Sequence, residues 1–197
     1  FNIVKVNLDE VRVEYSKEEQ YTGTQIRPSV TLKYDSTDGK TRDIEMTPEG
    51  WGYVVTYGSN ERLGTRAGKI TVTANPDGNC EGGPLDLAFD IVPRHITDEK
   101  TVEILFSGEK EPQPQYYNPA DGPCVLDIDI TFVCDGYIYH MIEGEDYSVS
   151  YLDNDKYGTA TVTIQGMKNF DDKVVKTFQV YKRLSDWLAL DSVTDNT

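Results

Sequence analysis

Apolar and polar residues alternate along most of this chain with a period of two. Val11-Arg12-Val13-Glu14-Tyr15, Val30-Thr31-Leu32-Lys33-Tyr34 and Leu126-Asp127-Ile128-Asp129-Ile130-Thr131-Phe132 each put their apolar side chains on one side. Tyr53-Val54-Val55-Thr56-Tyr57, Tyr147-Ser148-Val149-Ser150-Tyr151 and Ala160-Thr161-Val162-Thr163-Ile164 do the same. A period of two with Thr, Val, Ile, Tyr and Phe is the pattern of half-buried strands. Between the runs lie Asp38-Gly39, Asp77-Gly78, Gly82-Gly83-Pro84, Asp121-Gly122-Pro123 and Asp135-Gly136, which are turn sequences. Helical periodicity is weak through residue 183. The pattern predicts an all-β protein.

The pattern also occurs twice. Gly50-Trp51-Gly52-Tyr53-Val54-Val55-Thr56-Tyr57 followed by Asn60 matches Gly144-Glu145-Asp146-Tyr147-Ser148-Val149-Ser150-Tyr151 followed by Asn154. Further matches pair Gly68-Lys69-Ile70-Thr71 with Gly158-Thr159-Ala160-Thr161, and Phe89-Asp90-Ile91 with Phe178-Gln179-Val180. Upstream, Tyr21-Thr22-Gly23 pairs with Phe106-Ser107-Gly108. A nearly constant offset means two copies of one module with loop insertions. The expected division is a first β module over 1–93, a second over 94–183 and a tail or linker over 184–197. In the tail, Ser185 or Asp186 would cap a short helical turn. Trp187 would either fold back on the second module or begin a neighbouring core. The shared Tyr and Val positions read as core, and Asn60 and Asn154 as loop residues whose amides hold turns.

The length of 197 residues allows each module a small core of its own. Mean hydropathy is −0.53 and no run approaches the length of a membrane span, so no membrane insertion is expected. Phe1-Asn2-Ile3-Val4 shows no basic region followed by an apolar stretch, so no signal peptide is expected in this segment. A chain opening on Phe1 reads as a piece of a longer protein, so missing targeting signals say little about location. The formal net charge of −15 repels phosphate backbones, which argues against nucleic acid as a partner.

Three cysteines, Cys80, Cys124 and Cys134, are expected as free thiols. If one strand joins Cys124 to Cys134, those two lie too far apart to bond. No close Cys pair suggests zinc. Asp35-Ser36-Thr37-Asp38-Gly39 and Asp153-Asn154-Asp155 do not fit a calcium loop. No cofactor and no metal are expected. The two histidines, His95 and His140, fall in different modules, and no nucleophile, metalloprotease or phosphate-loop motif occurs. The chain therefore reads as a non-enzyme.

The second copy, from Gly144 through Phe170 and closing on Phe178-Gln179-Val180, resembles a repeat of large secreted and cell-surface proteins of gut Firmicutes. That repeat reads Y-T-G-x-x-x-x-P, then G-x-D-Y-x-V-x-Y-x-N-N, then G-T-A-T-V-T-I-x-G-x-G-N-Y, then F-x-I. Tyr21-Thr22-Gly23 with Pro28 matches its opening. The first copy departs at Glu49-Gly50-Trp51-Gly52-Tyr53, and the second carries an insertion over 109–123. The resemblance implies an immunoglobulin-like sandwich, with β-grasp-like variants. It also implies an extracellular setting in adhesins, surface-layer components or non-catalytic modules of polysaccharide-degrading assemblies, attached to the cell through other parts of the parent chain.

Two readings follow. In one, the chain binds a polysaccharide or a host or cell-surface glycan through exposed aromatics, starch-type glucan being the sharpest candidate. Trp51 between two glycines, Tyr116 and Tyr117 with Gln115 and Asn118 in a proline-rich insertion, and Tyr137 and Tyr139 on one side of their segment are the candidate ligand-binding residues. In the other, the modules form a passive stalk or contact other surface proteins, and their aromatics are buried.

Overall fold

A computed structural model of the chain describes residues 5–35 and 44–182. The expected Asp38-Gly39 turn and the tail with Ser185, Asp186 and Trp187 lie outside the described residues. The described residues are 55% strand and 4% helix, in two similar curled sandwiches. The chain divides into two compact units, with the second beginning at Arg94.

Each unit follows one route. In the first, Arg12–Tyr15, Val30–Tyr34 and Ile44–Met46 form a three-stranded antiparallel sheet. Glu18–Gln20 runs parallel to the closing strand Leu85–Val92, which pairs with Gly64–Ala74 and, beyond it, Tyr53–Tyr57. The second unit repeats this with Val102–Phe106, Ile128–Cys134 and Tyr137–His140 in one sheet. Its other sheet runs Gln115–Tyr117, Lys173–Lys182, Gly158–Gly166, Tyr147–Leu152. A short parallel pair opens each unit, Val6–Asn7 with Cys80–Glu81 and Arg94–His95 with Phe170–Asp171. The opening segment is thus split between both sheets of its own sandwich.

The alternating apolar residues meet between the sheets. Leu32 and Met46 from one sheet pack with Tyr53 and Val72 from the other, joined by Leu8 and Cys80. Ile26, Ile70, Phe89 and Ile91 extend that core. In the second unit Ile130, Phe132, Val162, Ile164 and Phe178 are buried in the same way, with Phe132 edge-on to Phe170 at 5.3 Å. The three cysteines are free thiols: Cys80 is buried, and Cys124 and Cys134 are half-buried. Burial pushes the Cys80 thiol pKa up.

After the split strand the chain must cross the open end of the sandwich, and both copies fasten it in one way. Asn60 is fully buried. Its amide donates to the carbonyls of Ile26 and Lys69 at 3.0 Å each and accepts from the Lys69 N–H at 2.7 Å. The Ile26 N–H returns a bond to the Asn60 carbonyl. In the second unit the Asn154 amide donates to the Cys124 carbonyl at 2.8 Å, and the Cys124 N–H bonds the Asn154 carbonyl. A tyrosine adds a second tie in each. The Tyr57 hydroxyl donates to the Pro28 carbonyl at 2.7 Å, and the Tyr151 hydroxyl accepts from the Leu126 N–H at 3.0 Å.

Register corrects two of the internal matches made from sequence. Gly64 pairs with Ile91 and Gly68 with Phe89, whereas Gly158 pairs with Val180 and Ala160 with Phe178. Counted from the closing phenylalanines, Gly158 is the counterpart of Gly64, and Ala160 that of Gly68. A β-bulge between Gly64 and Gly68 adds two residues to the first copy and shifts the apparent match. Gly68 is required there, since a Cβ would sit 2.3 Å from the Phe89 ring.

The second correction concerns Phe106, which ends its strand opposite Ile128 as Tyr15 does opposite Val30. Gln20 pairs with Val92 and Tyr116 with Tyr181, so Tyr116 is the counterpart of Gln20, and Tyr117 that of Tyr21. The crossing between sheets takes Ser16-Lys17 in one copy and Ser107 to Pro114 in the other. The insertion thus precedes the tyrosine.

Replacing Asn60 by Ala leaves the Ile26 carbonyl and the Lys69 N–H without their partner, while the Lys69 carbonyl keeps the Gly58 N–H. We expect a loss of about 2–4 kcal/mol in urea unfolding. Asn154→Ala, at a half-buried site with one side-chain bond, is expected to lose about 1 kcal/mol. Equal losses at the two positions would refute the ranking.

Candidate functional site

The two sides of the four-stranded sheet in the second unit differ sharply. Inward positions of the closing strand, Phe178 and Val180, are buried. Outward positions carry Val175, Thr177, Gln179 and Tyr181. The neighbouring strand adds Thr159, Thr161, Thr163 and Gln165, and the next adds Ser148, Ser150 and Leu152. Gln179 donates from Nε2 to the Thr159 hydroxyl across the ladder at 3.1 Å. Among these positions Lys173, at the far end, supplies the charge.

The same face of the first unit is different chemistry. There the outward positions include Asp86, Asp90 and Lys69, with Glu18 paired beside Asp90. Thr71 donates to Asp86 at 2.9 Å, and Asp90 accepts from the Arg66 N–H at 2.7 Å. By register Asp86 corresponds to Val175, Asp90 to Gln179, Lys69 to Thr161 and Glu18 to Pro114. The second copy thus presents a neutral, hydroxyl-rich face where the first presents charge, in a chain of net charge −15.

An aromatic group ends the neutral face. Tyr116 and Tyr181 are cross-strand partners, 58% and 47% exposed, with ring centroids 6.2 Å apart and planes tilted by 50°. Strand alternation turns Tyr117 to the other side, where it meets the exposed Tyr157 edge-on at 5.9 Å. Gln115 donates to the Gln113 carbonyl, and the Asn118 side chain accepts from the Ala120 N–H to hold a turn. Sequence singled out Tyr116, Tyr117, Gln115 and Asn118 but missed Tyr181 and Tyr157. The signal for Tyr181 was its outward parity in a strand counted from buried Phe178.

The remaining candidates lie elsewhere. Tyr137 and Tyr139 are half-buried and nearly parallel, 16° apart at 6.2 Å, in the three-stranded sheet. Tyr139 is the cross-strand partner of buried Phe132 and donates to the buried Asp146 carboxylate at 2.7 Å. That bond, with burial second, pushes its pKa up to about 12. Trp51 closes a single helical turn, Pro48–Trp51, capped by Thr47 and left-handed Gly52. It is half-buried over the core, tilted against Tyr34 at 6.4 Å. Trp51 thus belongs to the first unit and the other candidates to the second.

Two further features bear on ligands. His95, Asp171 and Asp172 offer donor atoms within 4.8 Å of one another and are the described residues that could hold a metal. Here His95 Nδ1 is 2.6 Å from Asp171 and 3.3 Å from Asp172, fastening the opening strand to the last loop. A cleft of about 310 Å³ opens between Val102, Phe106 and Val174. Its rim carries Glu99, Glu103 and a Lys176–Glu111 ion pair of 2.6 Å, which suits a neutral ligand less than the open face does. No helix among the described residues is long and apolar enough to cross a membrane. Compared with known protein families and with curated proteins, the chain matches none.

The Tyr139 proton has a checkable consequence. Below about pH 10 both folded and unfolded chains keep it. Between that and about pH 12 the unfolded phenol releases it first, so this contribution to stability falls as pH rises. An ultraviolet titration of the chain minus that of Tyr139→Phe is expected to show one phenol with a midpoint near 12. In Asp146→Asn that midpoint is expected to move back toward the ordinary tyrosine value. A midpoint unmoved by the loss of Asp146 would refute the assigned cause.

Proposed function

We propose that this chain is a non-catalytic extracellular module of a bacterial surface protein and that its second unit binds a neutral polysaccharide. The observation that carries this reading is the exposed Tyr116–Tyr181 pair on a face of Thr, Ser and Gln side chains. Sugar rings offer apolar C–H faces bordered by hydroxyls. Exposed phenol rings supply apolar area with a polar tip, and Gln, Thr and Ser supply both donors and acceptors. A face whose one charged position, Lys173, lies at its far end desolvates at lower cost than a face rich in carboxylates. The resemblance to secreted repeats of gut Firmicutes agrees with such a role, and starch-type glucan is the first ligand to examine.

Native electrophoresis through gels containing soluble starch tests the reading. Retardation of the whole chain is expected, weakened about tenfold in Tyr116→Ala or Tyr181→Ala, the loss of about 1.4 kcal/mol. Trp51→Ala is expected to leave it unchanged. Migration unaffected by any neutral polysaccharide, with the fold intact, would favour a stalk or a module that contacts other surface proteins.

A further inference from the structure

We propose that the ligand site is the whole outward face of the second four-stranded sheet, and that its ligand is one extended neutral polysaccharide chain lying along the strands. This rests on the glycan-binding reading and adds to it the length and charge class of the ligand. Three observations carry it.

First, the face is continuous. From Tyr181 to Val175 the closing strand runs about 20 Å, and the Thr-bearing strand lies about 4.8 Å to its side. Thr161 is the cross-strand partner of Thr177, and Thr163 that of Val175. The outcome is hydroxyls in rows, interrupted by the exposed apolar side chains of Val175, at 51%, and Leu152, at 64%. A polysaccharide chain has the same mixed character along its length, hydroxyls alternating with C–H surface.

Second, the charges have gone from where the fold permits them. The first unit holds Lys69, Asp86 and Asp90 at the register positions of Thr161, Val175 and Gln179, on the same backbone frame. The frame itself therefore does not demand neutrality.

Third, the tyrosines sit at one end of the face, where Gln115–Tyr117 pairs only with Val180 to Lys182. They can anchor one end of a ligand whose remainder runs over the Thr rows. Anionic polymers would meet a strongly acidic protein with a single cation, Lys173, on the face.

The test is calorimetric titration of the whole chain with maltose and maltoheptaose, with cellobiose and cellohexaose in parallel. Each short sugar spans little more than the tyrosine end, and each long one reaches the Thr rows. We expect one long sugar to bind at least about tenfold tighter than its disaccharide. Transferring the first unit's charges, as Thr161→Lys with Gln179→Asp, should abolish that gain of the long sugar over the disaccharide. Tyr181→Ala should weaken both. Thr163→Lys alone serves as a second variant, and unfolding curves verify each fold. Equal affinities for long and short sugars, or a gain that survives the charge transfer, would overturn the extended site while leaving a tyrosine-end site standing. No binding by any of these sugars would overturn both.

Discussion

Each sandwich depends on how its open end is closed. The opening segment is shared between two sheets, so a stretch of irregular backbone must pass over the apolar interior, and its peptide groups need partners there. One asparagine supplies them. Buried Asn60 bonds Ile26 and both backbone groups of Lys69, and Asn154 makes the corresponding tie to Cys124. The hydroxyls of Tyr57 and Tyr151 fasten the same segment further along. With the crossing held, the short strands Glu18–Gln20 and Gln115–Tyr117 align parallel to the closing strands and cover part of their edges. The position of the exposed tyrosine pair follows from that alignment.

Much of this frame was legible in the sequence. Period-two alternation located the strands, and the shared Tyr, Val and Asn positions marked the core and the tie. What stayed hidden is long-range. The bulge between Gly64 and Gly68 is set by ladder register, which local pattern does not encode, and it displaced the match to Gly158. The link between the two sheets, Ser16-Lys17 in one copy and Ser107 to Pro114 in the other, differs in length, so Phe106 pairs by pattern with Tyr21 although it closes the strand that Tyr15 closes. For the aromatics, residue type alone could not separate faces. Trp51 leans over the core, Tyr137 and Tyr139 line the core edge, and Tyr116 points out beside a tyrosine some sixty positions along the chain.

Two copies of one frame act as each other's control. Core positions keep their apolar character, as in Phe89 and Phe178, or Tyr53 and Tyr147. Outward positions of the same strands share little, with carboxylates and a lysine in one and threonines, glutamine and tyrosine in the other. Packing constrains the first set, whereas water tolerates almost any polar residue in the second. The absence of carboxylates from the second face is therefore information that the fold did not require.

The bulge also sets the first copy apart. In the first unit the Asp90 carboxylate holds the Arg66 N–H, at a residue whose φ is 54°, and so clasps the two extra residues to the ladder. That negative charge is part of the backbone's own support. The second copy lacks the extra residues, and Gln179 has no such duty. One outward side chain of the first copy thus braces its own backbone, a duty that its counterpart in the second copy does not carry.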